Sequence, residues 1–224
     1  MRIVTLLLIS LIGFSAAAQR TVNKDVGDFD KIKVFDLIEI NMIPSTENKV
    51  VIKGKHTEDV KVINSDGTLK LRMELDTRFQ GEDTYVEVYF TDIEVIDANE
   101  GAYIVVNELI EQDKITLKAQ EGGRIKTGLN VQNLDIRAHS GGIVRATGLA
   151  KSQEIKLTTG GIFEGRELQT LDTEIGITAA GEADVNASER VKVRVTAGGD
   201  VNIYGNPEEV DEKRVAGGRV RIMN

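Results

Sequence analysis

The fold is decided by residues 121–161, which read EGGRIKTGLNVQNLDIRAHSGGIVRATGLAKSQEIKLTTGG. A pair of glycines recurs in this stretch, and similar pairs continue as far as Gly218. The pairs are Gly122-Gly123, Gly141-Gly142, Gly160-Gly161, Ala180-Gly181, Gly198-Gly199 and Gly217-Gly218. Their second glycines are separated by 19, 19, 20, 18 and 19 residues. So regular an interval indicates a structural repeat.

Apolar residues keep the same phase around these pairs. Six positions before the second glycine stand Leu117, Ile136, Ile155, Ile175 and Val193. Two positions after it stand Ile125, Val144, Phe163, Ala183, Val201 and Val220. Because the apolar residues alternate with polar ones at a period of two, each repeat is predicted to form two short strands with one buried face.

A repeat of about 19 residues that contains strands and no helical period predicts an all-β fold, a parallel β-helix whose coils stack about 4.8 Å apart. We expect it to be right-handed, since parallel crossover connections are predominantly right-handed. Glycine would recur for one of two reasons: a tight corner that requires positive φ, or a backbone approach too close for a Cβ atom.

The strands continue before Gly101, but the repeat is looser. Predicted strands are Phe29 to Val34, Ile38 to Met42, Lys49 to Lys53, Val60 to Asn64, Thr68 to Met73 and Tyr85 to Phe90. Asp66-Gly67 predicts a hairpin turn, and the polar run from Leu75 to Thr84 predicts an exposed loop. We therefore expect one domain at residues 19–224, with an irregular β portion at 19–92 and regular coils at 93–224.

The first 18 residues resemble a secretory signal peptide. Met1-Arg2 supplies a positive end, Ile3 to Phe14 is apolar, and Ala16-Ala17-Ala18 fits a cleavage site. The apolar run is shorter than the roughly 20 residues of a membrane-spanning helix. We expect an exported protein, in the periplasm or at the cell surface, with no transmembrane span in the mature chain.

Composition excludes several classes of function. The formal net charge of −8 argues against nucleic acid as a partner, because nucleic-acid binding needs a concentrated positive field. The absence of Cys excludes disulfides and metal-thiolate sites. Calcium-binding turns of the G-G-x-G-x-D type are approached only at Gly198-Gly199-Asp200, so no metal and no cofactor is expected.

The N-terminal residues resemble a known family. The segments that carry the resemblance are Phe29-Asp30-Lys31-Ile32-Lys33-Val34, Ile38-Glu39-Ile40-Asn41, Val50-Val51-Ile52-Lys53-Gly54 and Asp66-Gly67-Thr68-Leu69-Lys70-Leu71. With the signal peptide and the later glycine repeats, they look like the auto-transporter adhesin head GIN domain family of exported Bacteroidetes-type proteins. This resemblance implies a β-helix and a cell-envelope location, and it supplies no catalytic residues.

The repeat register predicts a candidate ligand-binding face. Five positions before each second glycine stand Lys118, Arg137, Lys156, Gly176, Arg194 and Lys213. Seven positions before it stand Thr116, Asp135, Glu154, Glu174, Lys192 and Asp211. Two interpretations are open: the two rows neutralise each other on a solvated face, or the basic row binds an anionic polysaccharide.

The sequence contains few candidate catalytic residues. Glu164 and Asp184 fall on adjacent coils. The expected distance between these two side chains is close to the distance between the two catalytic carboxyl groups of retaining glycosidases. His56 and His139 show no ligand spacing and are expected at the surface.

We therefore expect a non-enzymatic adhesin or interaction module that binds envelope polysaccharide or another envelope protein. The alternatives are a polysaccharide lyase or hydrolase, and a structural periplasmic protein without external ligand. Self-association through the last coil is a further expectation.

Overall fold

The computed structural model describes residues 21–223, and the expected signal peptide at residues 1–18 lies outside the described residues. The described chain forms a parallel β-solenoid of about seven turns with coils of about 19 residues, which confirms the predicted fold class. A 3₁₀ turn lies at Leu75–Thr77. The strands are β1 (Thr21–Asp25), β2 (Lys31–Val34), β3 (Glu39–Pro44), β4 (Lys49–Gly54), β5 (Val60–Ser65), β6 (Thr68–Met73), β7 (Thr84–Phe90), β8 (Val95–Ala98), β9 (Tyr103–Gln120), β10 (Arg124–His139), β11 (Ile143–Thr158), β12 (Gly161–Thr178), β13 (Gly181–Ala197), β14 (Asp200–Tyr204), β15 (Glu209–Ala216) and β16 (Arg219–Ile222).

Strands β9 to β13 each wrap most of one coil and pair in parallel with the next coil. Ile136 on β10 lies opposite Leu117 on β9 and Ile155 on β11. Ile175 and Val193 continue this row on β12 and β13, and all five side chains are buried. The period-two alternation in the sequence therefore stacks equivalent residues of successive coils in one core.

The coils turn at the glycine pairs through two consecutive residues in the left-handed region. Between β10 and β11, Ser140 and Gly141 have φ values of 50° and 73°. The N–H of Gly142 donates to the carbonyl of His139 at 2.9 Å and closes this turn. The N–H of Gly141 donates to the carbonyl of Thr159 in the next corner at 3.2 Å, so the corners are bonded to one another as the strands are.

The second glycine of a pair is required for a different reason, which is lack of space. A Cβ on Gly142 would lie 2.1 Å from the carbonyl oxygen of Ala119 in the preceding coil. Gly161 stands in the same relation to Ala138, also at 2.1 Å. In the pairs that end at Gly123, Gly142 and Gly161, positive φ therefore explains the first glycine and close backbone approach explains the second. In the last two pairs, which end at Gly199 and Gly218, both glycines have positive φ.

The N-terminal strands enter the solenoid out of chain order. Strand β2 pairs in parallel with both β6 and β8, and β3 pairs in parallel with both β7 and β9. The coil of β2 and β3 therefore lies between the coil of β6 and β7 and the coil of β8 and β9. Its corner is formed by Asp36 and Leu37, with φ values of 60° and 63°. The sequence predicted these strands but not their order, because this corner carries no glycine marker.

Antiparallel strands cover the N-terminal end of the solenoid. Strand β4 pairs antiparallel with β7, β1 with β4, and β5 with β6. The hairpin predicted at Asp66-Gly67 is present, with φ values of 51° and 72°. The loop predicted between β6 and β7 is also present, and Leu75 is 76% exposed there. Strand β1 was not predicted, because Val22 is its only apolar residue.

The C-terminal coil ends the core with charged residues. Glu212 and Arg214 on β15 lie opposite the buried residues Val193 and Val195 on β13, so they occupy positions that are apolar in earlier coils. The two side chains form an ion pair, and Nη1 of Arg214 donates to the carbonyl of Gly218 at 2.9 Å. Charges at core-facing positions discourage a further strand from pairing at this edge.

Candidate functional site

The basic row predicted from the repeat is present as a line of neighbouring positions on one sheet face. Opposite one another on successive strands stand Lys118, Arg137, Lys156, Gly176, Arg194 and Lys213. Two residues earlier on the same strands runs the mainly acidic row, which consists of Thr116, Asp135, Glu154, Glu174, Lys192 and Asp211. Ligand binding by the basic row stays a prediction.

Ion pairs join the basic row to the acidic row. The pairs are Arg137 with Asp135 at 2.8 Å, Lys156 with Glu154 at 2.6 Å and Arg194 with Asp211 at 2.5 Å. Hydrogen bonding to Asp135 raises the pKa of Arg137, and hydrogen bonding from Arg194 lowers the pKa of Asp211. These contacts favour the interpretation in which the two rows neutralise each other.

The out-of-order coil lengthens the basic row towards the N-terminus. Lys33 lies opposite both Lys70 and Asp97, and Asp97 lies opposite Lys118. Asp97 is buried, and this burial raises the pKa of its carboxyl although the Lys33 ammonium is 3.7 Å away. Sequence reasoning missed these neighbours, since only the stacking of β2 between β6 and β8 brings them together.

A groove of about 810 Å³ runs beside the acidic row and crosses six strands, β9 to β13 and β15. One wall is formed by five members of the acidic row, which are Asp135, Glu154, Glu174, Lys192 and Asp211. The opposite wall lies two residues earlier on each strand and consists of Lys114, Asn133, Ser152, Asp172, Arg190 and Glu209. Strands in a sheet are spaced about 4.8 Å apart, so the groove extends about 24 Å along the solenoid.

Contacts between neighbouring side chains fix the walls of this groove. Oγ of Ser152 donates to Oδ1 of Asn133 at 2.9 Å, and Arg190 pairs with Asp172 at 2.9 Å. Lys192 also pairs with a wall carboxylate, Glu174, at 2.6 Å. The groove therefore presents hydroxyl, amide and carboxylate groups in a held arrangement, with most of its charges paired.

Buried polar residues lie beneath the groove. Gln153 and Thr173 occupy core-facing positions that are Leu134 and Val191 on the flanking strands. Nε2 of Gln153 donates to Oγ1 of Thr173 at 2.8 Å, and Thr173 shares a 2.9 Å hydrogen bond with Thr170. This network joins β11 to β12 under the groove and holds the groove floor in place.

The predicted carboxylate pair is also brought together. Glu164 on β12 lies opposite Asp184 on β13. Nδ2 of Asn202 donates to Oδ1 of Asp184 at 2.9 Å, and Arg145 lies opposite Glu164 on the other side. A residue with hydrogen-bond donors therefore stands on each side of the carboxylate pair. This arrangement is typical of a surface row whose charges balance.

The two histidines do not form a common site. His56 lies in the turn after β4, with Nδ1 3.1 Å from Oδ2 of Asp59. His139 ends β10, with Nδ1 3.2 Å from Oγ of Ser140. Within residues 21–223, no group of three or more His, Cys, Asp or Glu side chains is arranged to hold a metal ion.

Comparison with known protein families shows to which family the chain belongs. Residues 28–207 match the family described as Putative auto-transporter adhesin, head GIN domain. The chain belongs to this family. The resemblance found in the N-terminal segments is thereby confirmed, and the head GIN domain spans both the out-of-order coil and the regular coils. The chain matches none of the curated proteins with which it was compared.

Solved structures share the fold of this head GIN protein. A putative adhesin from Bacteroides fragilis has a TM-score of 0.78 at 18% identity, over 92% of this chain and 97% of that chain. A putative adhesin from Parabacteroides merdae has a TM-score of 0.69 at 16% identity, over 92% and 96%. A putative lipid binding protein from Parabacteroides distasonis has a TM-score of 0.68 at 14% identity, over 92% and 96%. Across residues 21–223, no helix has the length and apolar character needed to cross a membrane.

Proposed function

We propose that this head GIN protein is an exported, non-catalytic module of the cell envelope that holds a polysaccharide chain in the groove beside its acidic row. The observation that carries the proposal is the groove itself, about 810 Å³ in volume and open across six successive strands. A groove that runs along the solenoid suits an extended polymer better than a compact small molecule.

The chemistry of the walls favours a hydroxyl-rich, uncharged chain. Ser152 and Asn133 offer hydroxyl and amide groups, and the paired carboxylates still have lone pairs that accept hydrogen bonds. Because most of the charges are paired with one another, a strongly charged ligand would have to compete with existing ion pairs. Side chains that are already fixed lose little conformational entropy on binding.

The ion pairs give the basic row a supporting part in this proposal. Arg137 and Lys156 hold Asp135 and Glu154, which line the groove. The basic row would thus position the acceptors instead of binding an anionic polysaccharide itself. Export to the envelope is supported by the signal-like residues 1–18 and by the adhesin name of the family.

The test is cosedimentation of the purified protein with insoluble envelope polysaccharide. Asn133→Trp would place a bulky side chain in the groove, whereas Asn130→Trp would place it on the same strand outside the groove. Both asparagines are exposed, so both variants are expected to fold. The proposal predicts binding by the wild type and by Asn130→Trp, and loss of binding by Asn133→Trp. Equal binding by the two variants would show that the groove is not the site.

A further inference from the structure

Two tyrosines and a carboxylate stand in one line on the far side of the corner from the acidic row. Glu39 on β3 lies opposite Tyr85 on β7 and also opposite Tyr103 on β9. Since neighbouring strands are about 4.8 Å apart, the two tyrosines are about 10 Å apart, with Glu39 between them. The space over these residues is a cavity of about 380 Å³. We call these three residues the tyrosine slot.

The slot combines aromatic side chains with polar groups at its edge. Tyr85 is 50% exposed, although aromatic residues usually bury most of their area. In the next row of the sheet, Asn41 and Val105 lie beside the slot. Nδ2 of Asn107 donates to Oδ1 of Asn41 at 2.9 Å, which fixes this amide at the edge of the cavity.

Cations flank the slot on both sides without filling it. The Arg124 guanidinium lies 4.9 Å from the centre of the Tyr103 ring, and Arg124 belongs to β10, on the side away from Glu39. Lys53 lies opposite Tyr85 on β4 and pairs with Glu87 at 2.6 Å. A cation therefore occupies one face of the Tyr103 ring, whereas Lys53 is paired with Glu87, and Glu39 is the neighbour that the two tyrosines share.

Glu39 itself has neither an ion pair nor a hydrogen bond from its side chain within residues 21–223. Its carboxylate is an acceptor on the strand between the two tyrosines, and no donor among the described residues uses it. The charges around the cavity already balance, because Lys53 and Arg124 offset Glu39 and Glu87. A ligand that carried its own charge would disturb this balance, whereas an uncharged ligand would not.

We propose that the tyrosine slot binds a single uncharged pyranose unit of a glycan. The C–H faces of the sugar ring would pack against Tyr85 and Tyr103, and its hydroxyl groups would donate to the Glu39 carboxylate. The proposal goes beyond the groove, because the slot lies on other residues and on another face. Either site can fail its test while the other passes.

The experiment titrates the purified protein with four uncharged probes and follows them by ligand-observed NMR. The probes are methyl β-glucopyranoside, methyl β-galactopyranoside, methyl α-mannopyranoside and N-acetylglucosamine. At least one is expected to bind with a millimolar dissociation constant, because a shallow site contacts only one sugar ring. Tyr85→Ala and Tyr103→Ala should each weaken that binding about 3- to 10-fold. Glu39→Gln should weaken it about 10-fold, through loss of a charge-assisted hydrogen bond.

Tyr204→Ala is the matched control, because Tyr204 lies on β14 under the Arg166 guanidinium at 4.7 Å, remote in register from the slot. It should leave binding unchanged, and circular dichroism should show that all variants fold. No binding by any of the four sugars would overturn the proposal. So would equal weakening by Tyr204→Ala and Tyr85→Ala. Tighter binding of tetramethylammonium or inorganic phosphate than of any sugar would also overturn the proposal, because the slot would then prefer a charged ligand.

Discussion

The carbonyl oxygen of Ala119 lies 2.1 Å from the position that a Cβ on Gly142 would occupy. The neighbouring Gly141 has open space around its own Cβ position and a φ of 73°. Two adjacent glycines thus serve two different physical requirements of the same corner. The first needs a conformation that L-residues adopt at a cost, and the second needs room for the backbone of the previous coil.

These two requirements predict unequal costs of substitution. Gly141→Ala should lower the free energy of unfolding by about 1–2 kcal/mol, the cost of an L-residue in the left-handed region. Gly142→Ala should lower it by about 3 kcal/mol or more, because the overlapping atom is backbone and the coils must separate. Urea unfolding of both variants measures the difference. A Gly142→Ala variant as stable as Gly141→Ala would contradict the packing account.

The regular coils could be predicted because the sequence signals that define each coil lie within that coil. Each repeat carries its own glycine pair and its own alternation, so Ile136 could be placed beside Leu117 and Ile155 from spacing alone. The opposition of Glu164 and Asp184 followed in the same way.

The tyrosine slot could not be predicted, because no local signal joins its members. Glu39 meets Tyr85 and Tyr103 only because the coil of β2 and β3 lies between two coils that come later in the chain. The corner at Asp36 and Leu37 has the left-handed geometry of the others without a glycine. The groove was missed for another reason: the sequence register placed the acidic row, but it did not identify the opposite wall, and the concave shape between the two walls is tertiary.

The buried Asp97 predicts a pH dependence of stability. Burial raises its pKa in the folded protein, with Lys33 and Lys118 offsetting part of the effect. The folded state therefore binds a proton that the unfolded state has already released, and stability falls as the pH rises from the unfolded pKa through the raised folded value. Asp97→Asn keeps an oxygen that accepts from Asn99 and Gln120 but carries no charge.

The wild type should consequently lose stability relative to Asp97→Asn as the pH rises from about 4, the ordinary pKa of an unfolded Asp, through the raised pKa of the folded protein. Thermal unfolding of both proteins over this range measures the difference. A difference that does not change with pH, or one in which the wild type gains on the variant, would be inconsistent with the burial of this carboxyl.

The charged end of the solenoid predicts a change in association. Glu212→Val combined with Arg214→Val would restore the apolar pattern of Val193 and Val195 and leave it without cover. Because an exposed apolar edge strand is a template for pairing, the double variant should associate more strongly than the wild type. Analytical ultracentrifugation measures this, with Lys213→Val on the same strand as the control. Equal association of the double variant and the control would contradict a protective role for the ion pair.

The proposed absence of catalysis is tested at the carboxylate pair. Incubation of the protein with envelope polysaccharides should release no reducing or unsaturated sugar ends above background. Glu164→Gln and Asp184→Asn should leave polysaccharide binding unchanged, since neither residue lines the groove beside the acidic row. Turnover by the wild type that is lost in either variant would identify an enzyme on this fold.

The central claim is that the groove binds an uncharged polysaccharide, and a glycan array tests it most directly. The purified protein, Asn133→Trp and Asn130→Trp would be applied at physiological salt and again at high salt. The account predicts selective binding to uncharged glycans that largely survives high salt, because short hydrogen bonds are less screened than separated charges, and that disappears only in Asn133→Trp. A blank array from folded protein, or binding confined to anionic glycans and abolished by salt, would contradict it.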